Sequence, residues 1–221
     1  REPWLDNGQL AWRELPQHSP ALDIVRPIGA PFAPQAGLQL LSGNLGRAIL
    51  KTSAVDSAHW RVRAQAKVFA SQEQVQAAYV AGELVGNLVL VVRFQGPRAN
   101  GMPELHKLIP LLANLQNAGQ QVALVTDGRL SGASGQVPAA LHVTPEASAG
   151  GALACVQDGD WIEVDALRGV LRVELSAAEL TAREPAKALL ESAAGFGLGL
   201  FSAQRRLVGP ADQGATSLDW E

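Results

Sequence analysis

The sequence predicts an α/β fold built on a mixed sheet or barrel, not a regular doubly wound sheet, and three observations point there. Two runs, Leu88–Phe94 and Gln121–Thr126, are apolar and β-branched without alternation, as in strands buried on both faces. Helix-like and strand-like segments alternate only in the middle of the chain. The 22 glycines and 13 prolines supply tight turns between short elements.

Taken in order, residues 1–37 carry Pro3, Pro16, Pro20, Pro27, Pro31 and Pro34, too many for regular structure. They read as an extended arm that Trp4, Trp12 and Phe32 anchor to a neighbouring surface. Residues 38–221 form the domain proper. Ala48–Lys51 and Trp60–Phe69 read as strands, the second alternating Trp60, Val62, Ala64, Ala66 and Val68. Ser71, with Gln74 three residues on, opens a helix that runs through Ala81 and stops at Gly82. After the strand Leu88–Phe94, Pro103 suits the first position of a helix over Glu104–Ala118. That helix shows Leu105, Leu108, Leu112 and Leu115 on one face and ends at Gly119. The strand Gln121–Thr126 precedes a short helix over Ser134–Leu141. Strands over Trp161–Val164 and Val170–Leu175 turn at Gly169, and a helix covers Ala177–Ala182. From Glu184 onward helical pieces surround a glycine-rich interruption, Gly195–Gly199.

Composition narrows the function classes. Apolar residues make up 47%, enough for a packed core, and the net charge of −3 predicts no nucleic-acid footprint. The longest apolar run, Leu88–Val92, is far too short to span a bilayer, and residues 1–13 lack a signal-peptide core, so a cytoplasmic chain with no membrane association is expected. A lone Cys155 rules out an internal disulfide and a self-contained cysteine-ligated cluster; in an apolar stretch it reads as a buried small hydrophobe. The chain begins without Met, so a fragment of a longer protein is expected.

Two glycine-interrupted loops could carry chemistry. In TDGRLSGASG a buried strand runs into Ser131, flanked by Gly128, Gly132 and Gly135, and N–H groups from Gly132 onward could face an anion. The plain alternative is a helix cap with a tight turn. The other loop offers Glu104, which either serves a metal as one oxygen ligand or merely complements a helix dipole. Arg93, Arg98, His106, Lys107 and Arg129 crowd cations into these same loops, which suits a carboxylate or phosphate ligand. Asp127, Asp158 and Asp160 read as turn residues, and His142 as structural.

At these loops the sequence resembles the dihydroxyacid dehydratase / 6-phosphogluconate dehydratase family. The likeness runs from EPWLDNG through LLSGNLGRAILK, VVRFQGPRANGMPELHKL, ALVTDGRLSGASG and HVTPEA to LVGPADQGA. The loop Gly96–Met102 is similar to the phosphogluconate branch, not to the glycine-richer dihydroxyacid form. The resemblance implies the C-terminal, swivelling β/β/α domain of such an enzyme: a mixed, barrel-like sheet flanked by helices. It also implies loss of water from a 2,3-dihydroxy acid, with Ser131 as the base at C2 and Glu104 as a ligand of Mg²⁺. An iron–sulfur cluster would be bound by a larger N-terminal domain, since Cys155 matches none of the family's cluster cysteines. Gly132, Arg98, His106, Lys107 and Arg129 are then candidates for substrate binding, and Arg98, His106 or Lys107 is expected to contribute to binding a 6-phosphate. Expected partners are a sugar-acid phosphate, the chain's own N-terminal domain and a second copy in a homodimer, and this domain alone is expected to be inactive. The alternatives are a dehydratase domain for another dihydroxy or sugar acid, a free-standing anion-binding module built on the Ser131 loop, or a purely structural interaction domain.

Overall fold

A computed structural model describes residues 1–33, 37–131, 136–188 and 199–218, and the chain divides into two units, Arg1–Ala36 and Gly37–Glu221. The first unit departs from the expectation of an arm without regular structure. Its strands β1 (Glu2–Asp6) and β2 (Gln9–Arg13) pair antiparallel, with Pro3 opposite Trp12. Asn7 and Gly8 between them both have positive φ, 47° and 82°, the backbone that a two-residue hairpin turn requires. The Asn-Gly turn outweighs Pro3, which a two-stranded ribbon tolerates because each strand is an edge. Trp4 and Phe32, offered as anchors, stack under the guanidinium groups of Arg13 and Arg26 and remain exposed, as does Trp12.

The second unit is a closed eight-stranded barrel. Its strands are β3 (Leu38–Gly43), β4 (Gly46–Lys51), β5 (Arg61–Phe69), β6 (Leu88–Val92), β7 (Val122–Thr126), β8 (Ala139–Thr144), β9 (Trp161–Asp165) and β10 (Val170–Val173). Around the barrel they follow the order β10-β3-β4-β8-β7-β6-β5-β9. The run β5-β6-β7-β8 is parallel, the seam β10-β3 is parallel, and the other four pairings are antiparallel. This is the mixed, barrel-like α/β architecture that the sequence predicts.

Strands β6 and β7 read as unbroken apolar runs because both faces are covered. Val89, Val91, Ala123 and Val125 face the barrel interior with Leu41, Leu50, Ala64, Ala66, Ile162 and Val164. Leu88, Leu90, Val92, Val122 and Leu124 face the helices α1 (Gln72–Val80) and, after the short turn α2 (Pro97–Asn100), α3 (Leu108–Asn117), meeting Val75, Leu108, Leu112 and Leu115. Each fully buried Leu or Val of this kind stabilises the fold by about 1.5–3 kcal/mol of transfer free energy. Ser71 caps α1 by accepting from the Gln74 N–H, and the Gln74 side chain reaches back to the Ala70 N–H.

The helix α4 covers Ala177–Ala182 as predicted, opened by a reciprocal capping box of Ser176 and Glu179, and α5 spans Ser202–Leu207. Two helix predictions fail. Glu104 to Lys107 stay outside α3, because Glu104 is drawn into a parallel bridge with Arg129. The segment expected as a helix over Ser134–Leu141 instead enters the barrel as β8, whose Ala139, Ala140 and Leu141 are buried against β4 and β7. Ser134 itself, and Gly195 to Leu198 of the glycine-rich interruption, lie outside the described residues. Cys155 is only partly buried, its Sγ 3.9 Å from the Arg183 carbonyl oxygen. Among the described residues no helix is long and apolar enough to cross a membrane.

Candidate functional site

Parallel strands deliver their following loops to one end of a sheet, and ligands collect there. The loops after β6 and β7 do so here, and a buried carboxylate fastens them. Asp127, the first residue beyond β7, is fully buried and accepts three backbone hydrogen bonds. They come from Gln95 at 2.8 Å, Ala147 at 3.0 Å and Phe94 at 3.1 Å. Burial pushes its carboxyl pKa up, against the pull of those N–H groups.

Glu146 repeats the device one loop away. It is 7% exposed, follows a cis Thr144–Pro145 peptide, and accepts the Arg98 N–H on both oxygens, at 2.9 and 3.2 Å. Burial pushes this pKa up as well. Gly96 makes the approach possible: a Cβ there would stand 1.7 Å from Glu146 Oε2. Sequence reasoning read Asp127 as a turn residue and passed over Glu146. The sequence offers only position as a hint, Asp127 directly after a buried apolar strand and Glu146 directly after Pro145, and neither sets them apart from turn carboxylates.

The two proposed chemical groups are brought together by Glu104. Its Oε1 accepts the Ser131 N–H at 2.8 Å, and its Oε2 receives Arg129 Nη1 at 3.0 Å. Arg129 Nε also donates to the Met102 carbonyl at 2.7 Å, so the two loops are stitched by main chain and side chain alike. Arg98 is exposed on α2 with its backbone held by Glu146, while His106 and Lys107 are exposed just ahead of α3. Gly132 lies outside the described residues. Arg93 does not serve as a free cation, because its half-buried guanidinium donates to the carbonyls of Val156 at 2.9 Å and Ala154 at 3.0 Å.

His142 sits on β8 where the register with β4 shifts, and its N–H donates to the Gly128 carbonyl at 3.0 Å. Burial, then the charge of Arg129, holds its imidazole below the usual pKa, so it is neutral near pH 7. Phe94, Met102 and His142 all have left-handed φ, 64°, 54° and 56°. Each such conformation costs about 1–3 kcal/mol, and all three fall in or beside the loops that Asp127, Glu104 and Gly128 tie.

The residues fit one of the two inorganic groups in a limited way. Glu104 has lone pairs left on both oxygens and can serve as a single ligand to a hard divalent cation. Among the described residues no three His, Cys, Asp or Glu side chains converge as a metal site. One cysteine in the chain does not fit an iron–sulfur cluster. Chemically, the arrangement is a serine whose backbone is fixed by a carboxylate and whose neighbour is a guanidinium.

Residues 23–215 match the family model described as dihydroxy-acid/6-phosphogluconate dehydratase C-terminal. The chain is 52% identical to a phosphogluconate dehydratase of Pseudomonas aeruginosa over 98% of its length, and 52% identical to the enzyme of that name from Escherichia coli, again over 98%. It is 35% identical, over 95% of its length, to a dihydroxy-acid dehydratase of Pyrobaculum aerophilum. The chain spans 36% of the length of the first two relatives and 37% of the third.

Proposed function

The chain belongs to the dihydroxy-acid/6-phosphogluconate dehydratase family, whose C-terminal region it matches, and from that premise we propose that it is the C-terminal part of a phosphogluconate dehydratase. The complete protein would remove water from 6-phospho-D-gluconate to give 2-dehydro-3-deoxy-6-phosphogluconate, a step of Entner–Doudoroff sugar-acid breakdown. The observation that carries this reading is the joint hold of Glu104 on the Ser131 N–H and the Arg129 guanidinium, which supports a serine, a carboxylate and a cation acting together at the loop end of the barrel. Higher identity to phosphogluconate dehydratases than to the dihydroxy-acid enzyme supports the substrate.

In this proposal the deprotonated Ser131 oxygen takes the C2 proton, becoming the hydroxyl, as the C2–H electron pair becomes the C2=C3 bond. The 3-hydroxyl leaves with a proton as water, and the resulting enol becomes the 2-ketone. Arg129 shares the Glu104 carboxylate with the Ser131 N–H, and a positive charge in that loop would favour the deprotonated serine oxygen the step needs. Glu104 would donate one oxygen to a Mg²⁺, whose chemistry when bound is to hold the substrate carboxylate and 2-hydroxyl. The iron–sulfur cluster, the remaining metal ligands and the partner surface of a homodimer would belong to the rest of the protein, in the cytoplasm.

The test is turnover by the full-length protein, read as 2-keto acid formed from 6-phosphogluconate and from a branched-chain 2,3-dihydroxy acid. Preference for 6-phosphogluconate is expected, with Ser131→Ala lowering kcat about 10²–10⁴-fold, the range for loss of a positioned base. Preference for the branched-chain acid would overturn the substrate, and full activity of Ser131→Ala would overturn the base. The 221-residue chain alone is expected to show no turnover.

A further inference from the structure

The loop that runs from Phe94 to Glu104 carries α2, and hydrogen bonds fasten it at three places. At its start Asp127, directly after β7, accepts the N–H groups of Phe94 and Gln95 at 3.1 and 2.8 Å. The Gln95 side chain adds a bond to the Ala70 carbonyl at 2.6 Å, again at the start. At its end Arg129, also after β7, donates to the Met102 carbonyl at 2.7 Å and to Glu104 at 3.0 Å. In its middle Glu146, after β8, receives the Arg98 N–H on both oxygens, at 2.9 and 3.2 Å. The Asn100 side chain only bonds Gln95 within the same loop, at 3.1 Å. Among the described residues α2 makes no other hydrogen bond to a different element.

A segment fastened only at its two ends can still turn about the line that joins them. A third tie, away from that line and to another strand end, removes this freedom, and Glu146 makes it. Gly96 points the same way. Its φ of −72° suits any residue, so no backbone demand explains a glycine there. A Cβ at that position would overlap the Glu146 carboxylate. The missing side chain is what lets Glu146 reach the start of α2.

We infer that Glu146 is a positioning residue of the enzyme: through α2 it sets where Glu104 stands, and Glu104 sets the main chain of Ser131. The inference rests on the dehydratase reading above for what Ser131 and Glu104 do, but not for the chain of bonds that places them. Glu146 itself bonds neither residue. Its loss therefore acts on placement, while Asp127 and Arg129 still hold the two ends of the loop.

The experiment uses the full-length enzyme with Glu146→Gln, Glu146→Asp and Gly96→Ala. Glu146→Gln keeps the shape but turns an amide group toward the Arg98 N–H. It should lower kcat for 6-phosphogluconate about 10–100-fold, the range for a displaced catalytic group. The Mg²⁺ concentration for half-maximal activity should rise as well, by about tenfold. A mere loss of folded molecules would lower kcat and leave that concentration unchanged. Gly96→Ala should reproduce both effects by pushing the carboxylate away, and Glu146→Asp, which keeps an acceptor, should recover part of them. Hydrogen–deuterium exchange on the same proteins, without substrate, should speed up in peptides containing Ser131 and stay unchanged in β9 and β10. A wild-type kcat in Glu146→Gln, an unchanged Mg²⁺ requirement, or unchanged exchange at Ser131 would each overturn the inference. If wild type does not turn over 6-phosphogluconate, the dehydratase reading fails on its own. The exchange measurement then still decides whether Glu146 places the Ser131 loop.

Discussion

Asp127 and Glu146 at the loop end of the barrel, and Glu163 and Asp165 on β9, are all at most 7% exposed, yet main-chain amides serve the first two and mostly guanidinium groups the others. Asp127 and Glu146 accept backbone N–H groups from Phe94, Gln95, Arg98 and Ala147. Glu163 and Asp165 point away from the barrel interior, alternating with Ile162 and Val164, and are covered by Arg61, Arg168 and Arg172, with a single main-chain bond, from the Arg168 N–H to Asp165 at 2.9 Å. Those guanidinium groups remain 50–59% exposed. A carboxylate whose partners are amides dictates where a chain goes. One whose partners are long, half-solvated side chains dictates very little, because those side chains can swing to water. The first pair therefore builds a site, and the second closes over a strand.

The largest effect that can break this contrast is Asp127→Ala. It leaves the N–H groups of Phe94, Gln95 and Ala147 without their acceptor in a buried setting, at about 1–3 kcal/mol for each left unsatisfied. A loss of several kcal/mol is expected, lowering the thermal midpoint by about 2–4 °C per kcal/mol for a domain of this size. A change under about 1 kcal/mol would erase the distinction between the two pairs.

A medium effect lies in pH. Burial raises the pKa of both Asp127 and Glu146 in the folded chain, so between the ordinary carboxylate value and the raised one the folded state holds more protons than the unfolded. Their contribution is thus complete below the ordinary carboxylate range and is lost as pH rises through the raised values. Glu146→Gln should flatten that decline, measured as the denaturation midpoint against pH, and an unchanged slope would count against it. Asp160 behaves oppositely: its pKa is lowered because the bond and charge of Arg183, with the Gln157 N–H, outweigh its desolvation, so its share is lost as pH falls.

The smallest effect should come from Arg172→Ala. Glu163 keeps Arg61 and Arg168, each at 3.3 Å, and an exposed guanidinium contributes about 0–1 kcal/mol. Added salt should shrink that difference further. A loss comparable to that of Asp127→Ala would show that the β9 pairs are structural anchors after all.

What the sequence made legible follows from periodicity and capping. The apolar runs of β6 and β7, the alternation of β5 and the caps of α1 and α4 are local signals, and each element lies where those signals put it. Long-range pairing was less legible. Ala139–Thr144 opens with two alanines and a leucine and carries only Val143 and Thr144 as β-branched residues, so only its burial between β4 and β7 makes it a strand. Glu104 looked like the start of a helix because Pro103 precedes it, whereas its bridge partner Arg129 lies 25 residues away. The Asn7-Gly8 turn is readable in the sequence, but the reading of residues 1–37 rests on their prolines alone. Within the site, Ser131, Arg129 and Glu104 stood out by type, but Asp127 and Glu146 did not, since only their burial distinguishes them from turn carboxylates.

The seam between β10 and β3 has a kinetic consequence. It is registered by Val170 opposite Ser42 and reinforced by Asn44, whose side chain exchanges hydrogen bonds with the main chain of Val173, 129 residues away in sequence. Joining such distant segments costs loop-closure entropy before any pairing energy returns, and chains rich in non-local contacts fold slowly. The parallel strands β5 to β8 and their helices can condense first from nearer neighbours. Of the barrel's pairings the β10–β3 seam joins the segments farthest apart in sequence, so it is the one expected to form last.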